Sequence, residues 1–200
     1  NQLYIRFINK NSVALMDTIH NKISITINSS LFEPTFFTNV FADLFEKPEF
    51  IIPNKNNAKN ITQMLYKANL AGSGYIILWE IGLPTGEAIS LETSPKQTSL
   101  IYANTTQDKL GWIQYWPTDS NCRNDSYPDA DGIPISNRYN STTCEWYQTA
   151  VKARNSTWTN IYESFGSQSQ ILLVSSVKPS IQQTSQKVPI ITSVVSNSID

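Results

Sequence analysis

Apolar residues recur three to four positions apart over residues 2–28, with a gap near Asn11, and form one stripe along the chain. The stripe consists of Tyr4, Ile8, Leu15, Ile19, Ile23 and Ile27. Because about 3.6 residues make one helical turn, this spacing predicts one long helix with a single apolar face. Residues 23–27 also alternate between apolar and polar positions, so the pattern there fits a strand as well.

Two shorter helices are expected after the long one. Pro34 precedes a second apolar run at residues 36–45, which predicts a short, separate helix that ends before Pro48. Residues 61–70 place apolar side chains on one helical face and predict a third helix. Gly72 stands where the C-cap of this third helix is expected.

From Gly74 onward, short apolar segments alternate with polar turns. Strands are predicted at residues 75–81, 87–93, 99–105, 110–116, 171–177 and 188–195. A short helix is predicted at residues 145–154, before the last two strands. Helices followed by an antiparallel meander, a helix and two strands predict an α+β fold, with the helices on one face of a single sheet.

Charge and composition argue against several classes of function. The net charge is −1, whereas a nucleic-acid-binding protein usually carries a basic excess, so we expect no nucleic-acid partner. The single histidine, His20, has no second histidine or cysteine at ligand spacing. The aspartates within residues 125–131 resemble part of a calcium loop, but Tyr127 stands where that loop needs a ligand. No motif indicates catalysis, so we expect no enzyme, no metal and no cofactor.

Six sequons and two cysteines predict a location outside the cell. The Asn-x-Ser/Thr sequons begin at Asn28, Asn60, Asn104, Asn124, Asn140 and Asn155. Cys122 and Cys144 enclose a polar stretch with little apolar surface to order it, and a disulfide between them would stabilise the fold by about 3 kcal/mol. The alternative is an intracellular protein with chance sequons and two free, buried thiols.

The chain has the features of a segment taken from a longer protein. It begins at Asn1 without an initiator methionine or a signal sequence, which indicates a mature or excised segment. The longest purely apolar run, at residues 75–79, is too short to cross a bilayer. We therefore expect any membrane anchor to lie outside this chain.

Tyrosine and tryptophan residues crowd into residues 139–162, around the predicted short helix. They are Tyr139, Trp146, Tyr147, Trp158 and Tyr162. Each of these side chains combines a large apolar face with a polar tip, which suits a small-molecule pocket. Two interpretations stay open: the rings line a ligand-binding pocket, or they pack the helix onto the sheet.

The same segment resembles a known family. The stretch YNSTTCEWYQTAVKARNSTWTNIY at residues 139–162 is similar to the pattern YDPRTRPWYKAAVAAGKPTWSSIY of double Cache domains. These domains are PAS-like extracellular sensor modules of transmembrane receptors such as cyclases, histidine kinases and chemoreceptors. NSSLFEPTFFTNVFADLF at 28–45 resembles the family's first helix, and GYIILWEIGLPTGEAIS at 74–90 resembles its first strands. ILLVSSVKPSI at 171–181 and IITSVVSNSID at 190–200 look like its last two strands.

The resemblance implies that this chain is the membrane-distal half of a receptor ectodomain. A long N-terminal helix would pack on a PAS-like antiparallel sheet with short helices, in a Cache-type α+β fold. Residues 1–72 would hold the helices and residues 73–200 the sheet, together forming one domain. The family further implies a eukaryotic receptor of the cyclase or histidine-kinase type, with its membrane-proximal half and spans outside this chain. It also allows a homodimer through the long helix.

The resemblance also indicates where a ligand would bind. Amino-acid-binding members carry a Tyr, an Arg-x-Trp-Tyr motif, a later Tyr and an Asp. Four of these aromatic positions are matched by Tyr139, Trp146, Tyr147 and Tyr162. Cys144 stands in place of the Arg that would pair with a ligand carboxylate, and Ser196 is near the place of the Asp that would hold the ammonium. We therefore expect a small-molecule ligand other than a standard α-amino acid.

Three hypotheses follow from the sequence. The first is an extracellular sensor domain that binds a small molecule and signals across the membrane. The second is a Cache-like module that has lost ligand binding and serves an extracellular assembly or a channel as a structural or interaction domain. The third is a secreted hydrolase, which would need a cleft with two opposed carboxylates.

Overall fold

The computed structural model describes the helices and the sheet together with most of their connections. The described residues are 2–47, 53–72, 76–93, 98–104, 112–119, 122, 124, 127, 133–136, 139–163, 172–183 and 189–199. The helices are α1 (Gln2–Glu46), α2 (Ala58–Ala71) and α3 (Glu145–Ala153). The strands are β1 (Leu78–Gly82), β2 (Ala88–Thr93), β3 (Thr98–Asn104), β4 (Trp112–Pro117), β5 (Ile133–Ser136), β6 (Thr157–Trp158), β7 (Tyr162–Glu163), β8 (Leu172–Gln183) and β9 (Pro189–Ile199).

The strands form an antiparallel sheet in the order β5-β4-β3-β2-β1-β9-β8-β6, and β7 pairs with β8 beside this path. Strands β1 to β4 form the predicted meander. Strand β9 returns from the end of the chain to pair with β1, which places Ser196 opposite Glu80. The centre of the sheet therefore combines an early and a late segment of the sequence.

Alternation along the strands gives the sheet two faces of different composition. We call one the α1 face, defined by Trp79, Ile81, Ile89, Leu91, Leu100 and Tyr102. We call the other the α3 face, defined by Leu78, Glu80, Gly82, Ala88, Ser90, Ile101, Ala103, Ser175, Val177, Ser196 and Ser198. The residues that define the α1 face are mostly apolar, whereas those of the α3 face include a buried acid and several serines.

Helix α1 corrects the prediction of two N-terminal helices. It continues without interruption from Gln2 to Glu46, with Pro34 in its interior. Beyond the proline, Phe37 and Phe41 each place their ring centroid 5.6 Å from that of Trp79. The burial of this apolar face outweighs the single helical hydrogen bond that a proline removes.

Helices cover both faces of the sheet, whereas the sequence predicted only one covered face. Helices α1 and α2 contribute Phe45, Ile61 and Leu65 to the core on the α1 face. Helix α3 packs against Val177 on the opposite face. Helix α2 begins at Ala58, three residues before the predicted start, and Gly72 is its C-cap as predicted.

The structure also shows strands that the sequence pattern did not reveal. Strands β5, β6 and β7 span two to four residues each, too few to show a period, and they fall in or near polar stretches. Strand β8 continues beyond the predicted end at residue 177 as far as Gln183, and β9 continues beyond residue 195 as far as Ile199, because polar residues such as Ser180 and Ser198 continue the pairing.

The predicted disulfide is wrong in this structure, in which Cys122 and Cys144 are free thiols. Cys122 packs into the core on the α1 face, and its carbonyl accepts a hydrogen bond from the Gln63 amide. Cys144 packs with Tyr139 on the α3 face. The sheet therefore separates the two sulfurs. The prediction failed because the spacing of two cysteines in the sequence does not show which face of the sheet each one contacts.

Three further expectations concern membrane spans, metals and His20. Within the residues that the structure describes, no helix is both long and apolar enough to cross a membrane. Over the same residues, no group of three or more His, Cys, Asp or Glu side chains is placed to hold a metal ion. His20 is exposed on α1. The aspartates at 125, 129 and 131 lie outside the described residues.

Candidate functional site

The β1–β2 hairpin determines where α3 lies. Gly82 ends β1 on the α3 face, and a Cβ atom at this position would lie 2.6 Å from Trp146 Cη2 and 2.8 Å from Tyr147 Cδ2. The two rings therefore occupy the space that the side chain of any other residue at position 82 would fill. Glycine is required here for close approach of the helix to the strand rather than for an unusual backbone angle.

A 3-10 turn at Ser141–Thr143 connects this hairpin to α3. The Asn140 side chain caps the turn by accepting a 3.0 Å hydrogen bond from the backbone N–H of Thr142. The buried Ser141 donates from its backbone N–H to the Gly86 carbonyl at 2.9 Å, and from its hydroxyl to the Glu87 carbonyl at 3.0 Å. These bonds position Cys144, which immediately precedes α3, over the sheet.

The structure brings together four of the five aromatic residues predicted for the site. Tyr139, Trp146 and Tyr147 are buried on the α3 face, and Tyr162 is half-buried beside them. The ring centroids of Trp146 and Tyr147 are 5.8 Å apart in an edge-to-face arrangement. Trp158 is not part of this group, because its pairing with Ser176 places it on the α1 face.

A row of polar residues crosses the centre of the α3 face. Ser90, Glu80 and Ser196 lie opposite one another on β2, β1 and β9. Glu80 is only 8% exposed and accepts a 3.3 Å hydrogen bond from the Tyr139 hydroxyl. The Ser196 hydroxyl is fully buried and has no hydrogen-bond partner in the described structure. A buried hydroxyl without a hydrogen-bond partner lowers the free energy of unfolding by about 1–3 kcal/mol, so this row destabilises the fold.

A hydroxyl network continues from this row toward β7. Ser175 Oγ and Ser198 Oγ are 2.6 Å apart, and Tyr162 Oη is 2.7 Å from Ser175 Oγ. The backbone N–H of Ser175 donates to Thr159 Oγ1 at 2.9 Å. These side chains form a second polar row parallel to the first, and their hydroxyl groups find hydrogen-bond partners within that row.

Burial controls the protonation of the groups around Glu80. It raises the pKa of the Glu80 carboxyl to about 7, against a smaller lowering by the Tyr139 hydrogen bond and a further rise from the nearby Glu92 charge. Burial also raises the pKa of the Cys144 thiol to about 12, with Glu80 adding to the rise. Burial and the Glu80 charge raise the pKa values of the Tyr139 and Tyr162 hydroxyls as well. Glu80 is therefore the one group of this set that titrates near neutral pH.

The sequence analysis missed Glu80, which is the charged group at the centre of the candidate site. A glutamate within the most apolar predicted strand, YIILWEIG, was the available signal, because a lone acid on an inward-facing strand position is costly. Ser196 appeared only as the place of a lost aspartate. Its position opposite Glu80 depends on the pairing of β9 with β1, which the sequence does not show.

The predicted glycosylation sites differ in their surroundings. Asn60 and Asn155 are exposed, while Asn124 and Asn140 are half-buried. The side chains of Asn28 and Asn104 lie outside the described part of the chain. Glycosylation at each of these sequons stays a prediction.

Solved structures of chemoreceptor sensor domains share this fold. The ligand-binding domain of the Campylobacter jejuni chemoreceptor Tlp3 in complex with 4-methylisoleucine gives a TM-score of 0.52 at 15% identity, over 95% of this chain and 57% of that one. A methyl-accepting chemotaxis protein X gives a TM-score of 0.51 at 17% identity, over 92% of this chain and 60% of that one. The Tlp3 domain in complex with L-valine gives 0.50 at 15% identity, over 95% and 58%.

These likenesses show the fold. The chain is an α+β protein with the Cache-type fold of chemoreceptor sensor domains, which confirms the predicted fold class. It spans 57% to 60% of the length of these three solved domains. No protein-family model and no curated protein matches the chain.

Proposed function

We propose that this chain is an extracellular sensor domain that binds a small molecule on its α3 face and signals across the membrane. The observation that carries the proposal is the pair of buried polar groups, Glu80 and Ser196, beneath the aromatic rings. A carboxyl with little hydrogen bonding and an unpartnered hydroxyl are costly in a purely structural core. A bound ligand would satisfy both groups.

The solved neighbours support a ligand-binding role for this fold. Tlp3 was solved as a ligand-binding domain with 4-methylisoleucine and with L-valine. The proposed site of this chain comprises Tyr139, Trp146, Tyr147 and Tyr162 together with Glu80. Trp158 stays outside it, since the register places that ring on the α1 face. The ligand would differ from a standard α-amino acid, because Cys144 stands where the resemblance puts the carboxylate-binding Arg.

Signalling would use α1 and the parts of the receptor beyond this chain. Residues 1–72 and 73–200 would act as one domain, since α1 and the sheet share a core. A ligand shifts such a domain between two arrangements only if it binds them with different free energies. We propose a receptor of the eukaryotic cyclase or histidine-kinase type, with the membrane-proximal half and the spans outside residues 1–200.

A homodimer through α1 is part of this proposal. Met16, Ile19, Ile23 and Ile25 are exposed on the N-terminal half of α1. A second copy of the helix would bury these side chains. Light scattering of the purified chain tests this arrangement: a dimer that Ile19→Glu dissociates is expected, whereas a wild-type monomer at high concentration would contradict it.

The test of binding is a thermal-shift and tryptophan-fluorescence screen of small metabolites. We expect at least one compound to raise the melting temperature, and Trp146→Phe to remove most of that shift. Trp158→Phe is the matched control, because it makes the same change on the opposite face. Shifts that Trp146→Phe and Trp158→Phe alter equally would contradict a site on the α3 face.

The second candidate function is a Cache-like module that has lost ligand binding. The observation in its favour is the close contact of Trp146 and Tyr147 with Gly82, which shows that these rings also fasten α3 to the sheet. A screen without any hit, together with capture of an extracellular protein partner, would favour this function.

The extracellular location has a separate test. Expression through a eukaryotic secretory pathway, followed by enzymatic removal of N-glycans, is expected to lower the apparent mass. Thiol labelling of the denatured, unreduced product counts the free cysteines. Two labelled cysteines agree with the described structure, and no label would show that oxidation moves these residues together.

A further inference from the structure

The centre of the α3 face carries charge of one sign only. Glu80 is its buried acid, and no Lys, Arg or His accompanies it among the described residues of this face. Lys152 on α3 and Arg154 directly after this helix are exposed, and Lys178 pairs with Asp43 on the other side of the sheet. Nothing in the described part of the site therefore neutralises Glu80.

The hydrogen-bonding capacity around Glu80 is also largely unused. A carboxylate offers about four acceptor positions, and the Tyr139 hydroxyl uses one of them over a long 3.3 Å contact. Ser196 pairs with Glu80 across the strands, so its unpartnered hydroxyl points to the same face. A group that donates several hydrogen bonds from one positive centre fits these acceptors.

On the basis of the function proposed above, we propose that the ligand is an organic amine cation without a carboxylate. Its ammonium would donate hydrogen bonds to the Glu80 carboxylate and the Ser196 hydroxyl. Its apolar body would lie against the rings of Trp146 and Tyr162. Glu80 is then the counter-ion that distinguishes an amine from an amino acid.

Electrostatics argue against a carboxylate on this ligand. A carboxylate beside Glu80 would place two like charges in a buried site. Cys144 provides no compensating charge, because a thiol is neutral when protonated and negative when ionised. The desolvation of an unpaired ion is unfavourable, so a zwitterionic amino acid should bind more weakly than the amine with the same side chain.

The aromatic rings supply the second part of amine recognition. The faces of tyrosine and tryptophan rings attract cations, and more strongly where water is excluded. Tyr139 reaches Glu80 directly, and Tyr162 lies near enough for the Glu80 charge to raise the pKa of its hydroxyl. A cation held by Glu80 is therefore surrounded by rings rather than by water.

Binding of an amine should depend on pH through Glu80. The groups that face Glu80 are Glu92 on β2, Tyr139 and Cys144 before α3, and Tyr162 on β7. With the pKa of Glu80 at about 7, the free site is mostly protonated in mildly acidic solution, and the amine must displace that proton. The affinity should then fall about tenfold for each pH unit below 7 and level off above it.

Isothermal titration of the purified chain with matched probes tests the proposal. The probes are 3-methylbutylamine with leucine, and 2-phenylethylamine with phenylalanine and the uncharged 2-phenylethanol. We expect at least one amine to bind about tenfold or more tightly than its amino acid at about pH 8. Glu80→Gln should weaken the amine about tenfold or more and remove the pH dependence, whereas the exposed Glu163→Gln should change neither.

Two serines provide a second matched pair. Ser176 and Ser196 both bury an unpartnered hydroxyl, but Ser176 lies on the α1 face. Ser196→Ala should weaken amine binding about threefold or more, and Ser176→Ala should leave it unchanged. These variants keep the proposal testable even where Glu80→Gln alters the fold.

The outcomes separate this inference from the function on which it rests. Equal or tighter binding of the amino acids or of 2-phenylethanol would overturn the amine assignment but retain a small-molecule sensor. Amine binding that Glu80→Gln leaves unchanged would also overturn it. Binding of no probe overturns the amine assignment, and the sensor function falls with it only if the metabolite screen has no hit either.

Discussion

The two faces of one sheet differ in what they bury. The α1 face packs Trp79, Ile89 and Leu91 against two helices, and the buried polar residues on this side, such as Ser176 and Ser180, are uncharged. The α3 face uses the alternate residues of the same strands, yet it buries Glu80 and a set of serines. The first arrangement maximises apolar burial, while the second retains polar groups that lower stability. Apolar burial on the α1 face therefore offsets the loss of stability that the buried polar groups on the α3 face cause.

The largest expected effect tests this division of roles. Trp79→Ala should lower the free energy of unfolding by about 3–5 kcal/mol, because it opens a cavity between α1 and the sheet. On the other face, Tyr162→Phe removes one hydroxyl and should cost no more than about 1.5 kcal/mol. Urea unfolding of both variants measures the difference. Equal costs would mean that the faces do not differ in this way.

The second prediction concerns the pH dependence of stability. With the pKa of Glu80 raised to about 7, the folded protein binds a proton that the unfolded chain releases near pH 4.5. Stability of the ligand-free protein should therefore fall as pH rises from about 4.5 to about 7, by on the order of 3 kcal/mol from this group.

Thermal unfolding across this pH range provides the measurement. The difference between wild type and Glu80→Gln isolates the contribution of Glu80 from those of the other carboxyls, and Glu163→Gln is the control for an exposed glutamate. A wild-type profile that runs parallel to that of Glu80→Gln would show that Glu80 titrates normally.

The third prediction uses the contact between β1 and α3. Gly82→Ala should cost about 1–3 kcal/mol, because the new methyl group would displace Trp146 and Tyr147. Gly72→Ala is the control, since its Cβ would lie 3.1 Å from a flexible Glu33 side-chain oxygen and should change stability by less than about 0.5 kcal/mol. Thermal unfolding with tryptophan fluorescence compares the two. Similar small effects would contradict the close packing of α3.

The smallest effect compares the two unpartnered hydroxyls. Ser176→Ala and Ser196→Ala each remove a buried polar atom without a hydrogen bond, so each should leave the ligand-free protein unchanged or up to about 1 kcal/mol more stable. Calorimetry of the ligand-free variants measures this effect. A clear loss of stability in either variant would show that its hydroxyl does have a partner.

Much of the fold followed from periodic patterns. The spacing of Ile19 and Ile23 predicted a helix in that segment, and the apolar run at residues 75–81 predicted the strand at the centre of the sheet. The pattern failed at Pro34, where the packing of Phe37 and Phe41 on Trp79 continues the helix. Local preferences are small compared with the burial of a complete apolar face.

The candidate site was only partly visible in the sequence. Tyr139, Trp146, Tyr147 and Tyr162 stood out because aromatic residues cluster in one segment of the chain, and the structure brings them together. Glu80 could not be assigned to the same site, because it is far from that segment in sequence. The disulfide prediction failed for a related reason, since nearness in sequence does not tell which face of the sheet a cysteine contacts.

The sequence by itself determined the helix and strand types of the main elements, the α+β class and the aromatic segment of the candidate site. These features depend on local periodicity and composition, which neighbouring residues carry. Only the tertiary structure decided that β9 pairs with β1, that Glu80 meets Ser196 and that Cys122 and Cys144 lie on opposite faces. Those relations depend on strand pairing and packing between distant segments, and no local pattern encodes them.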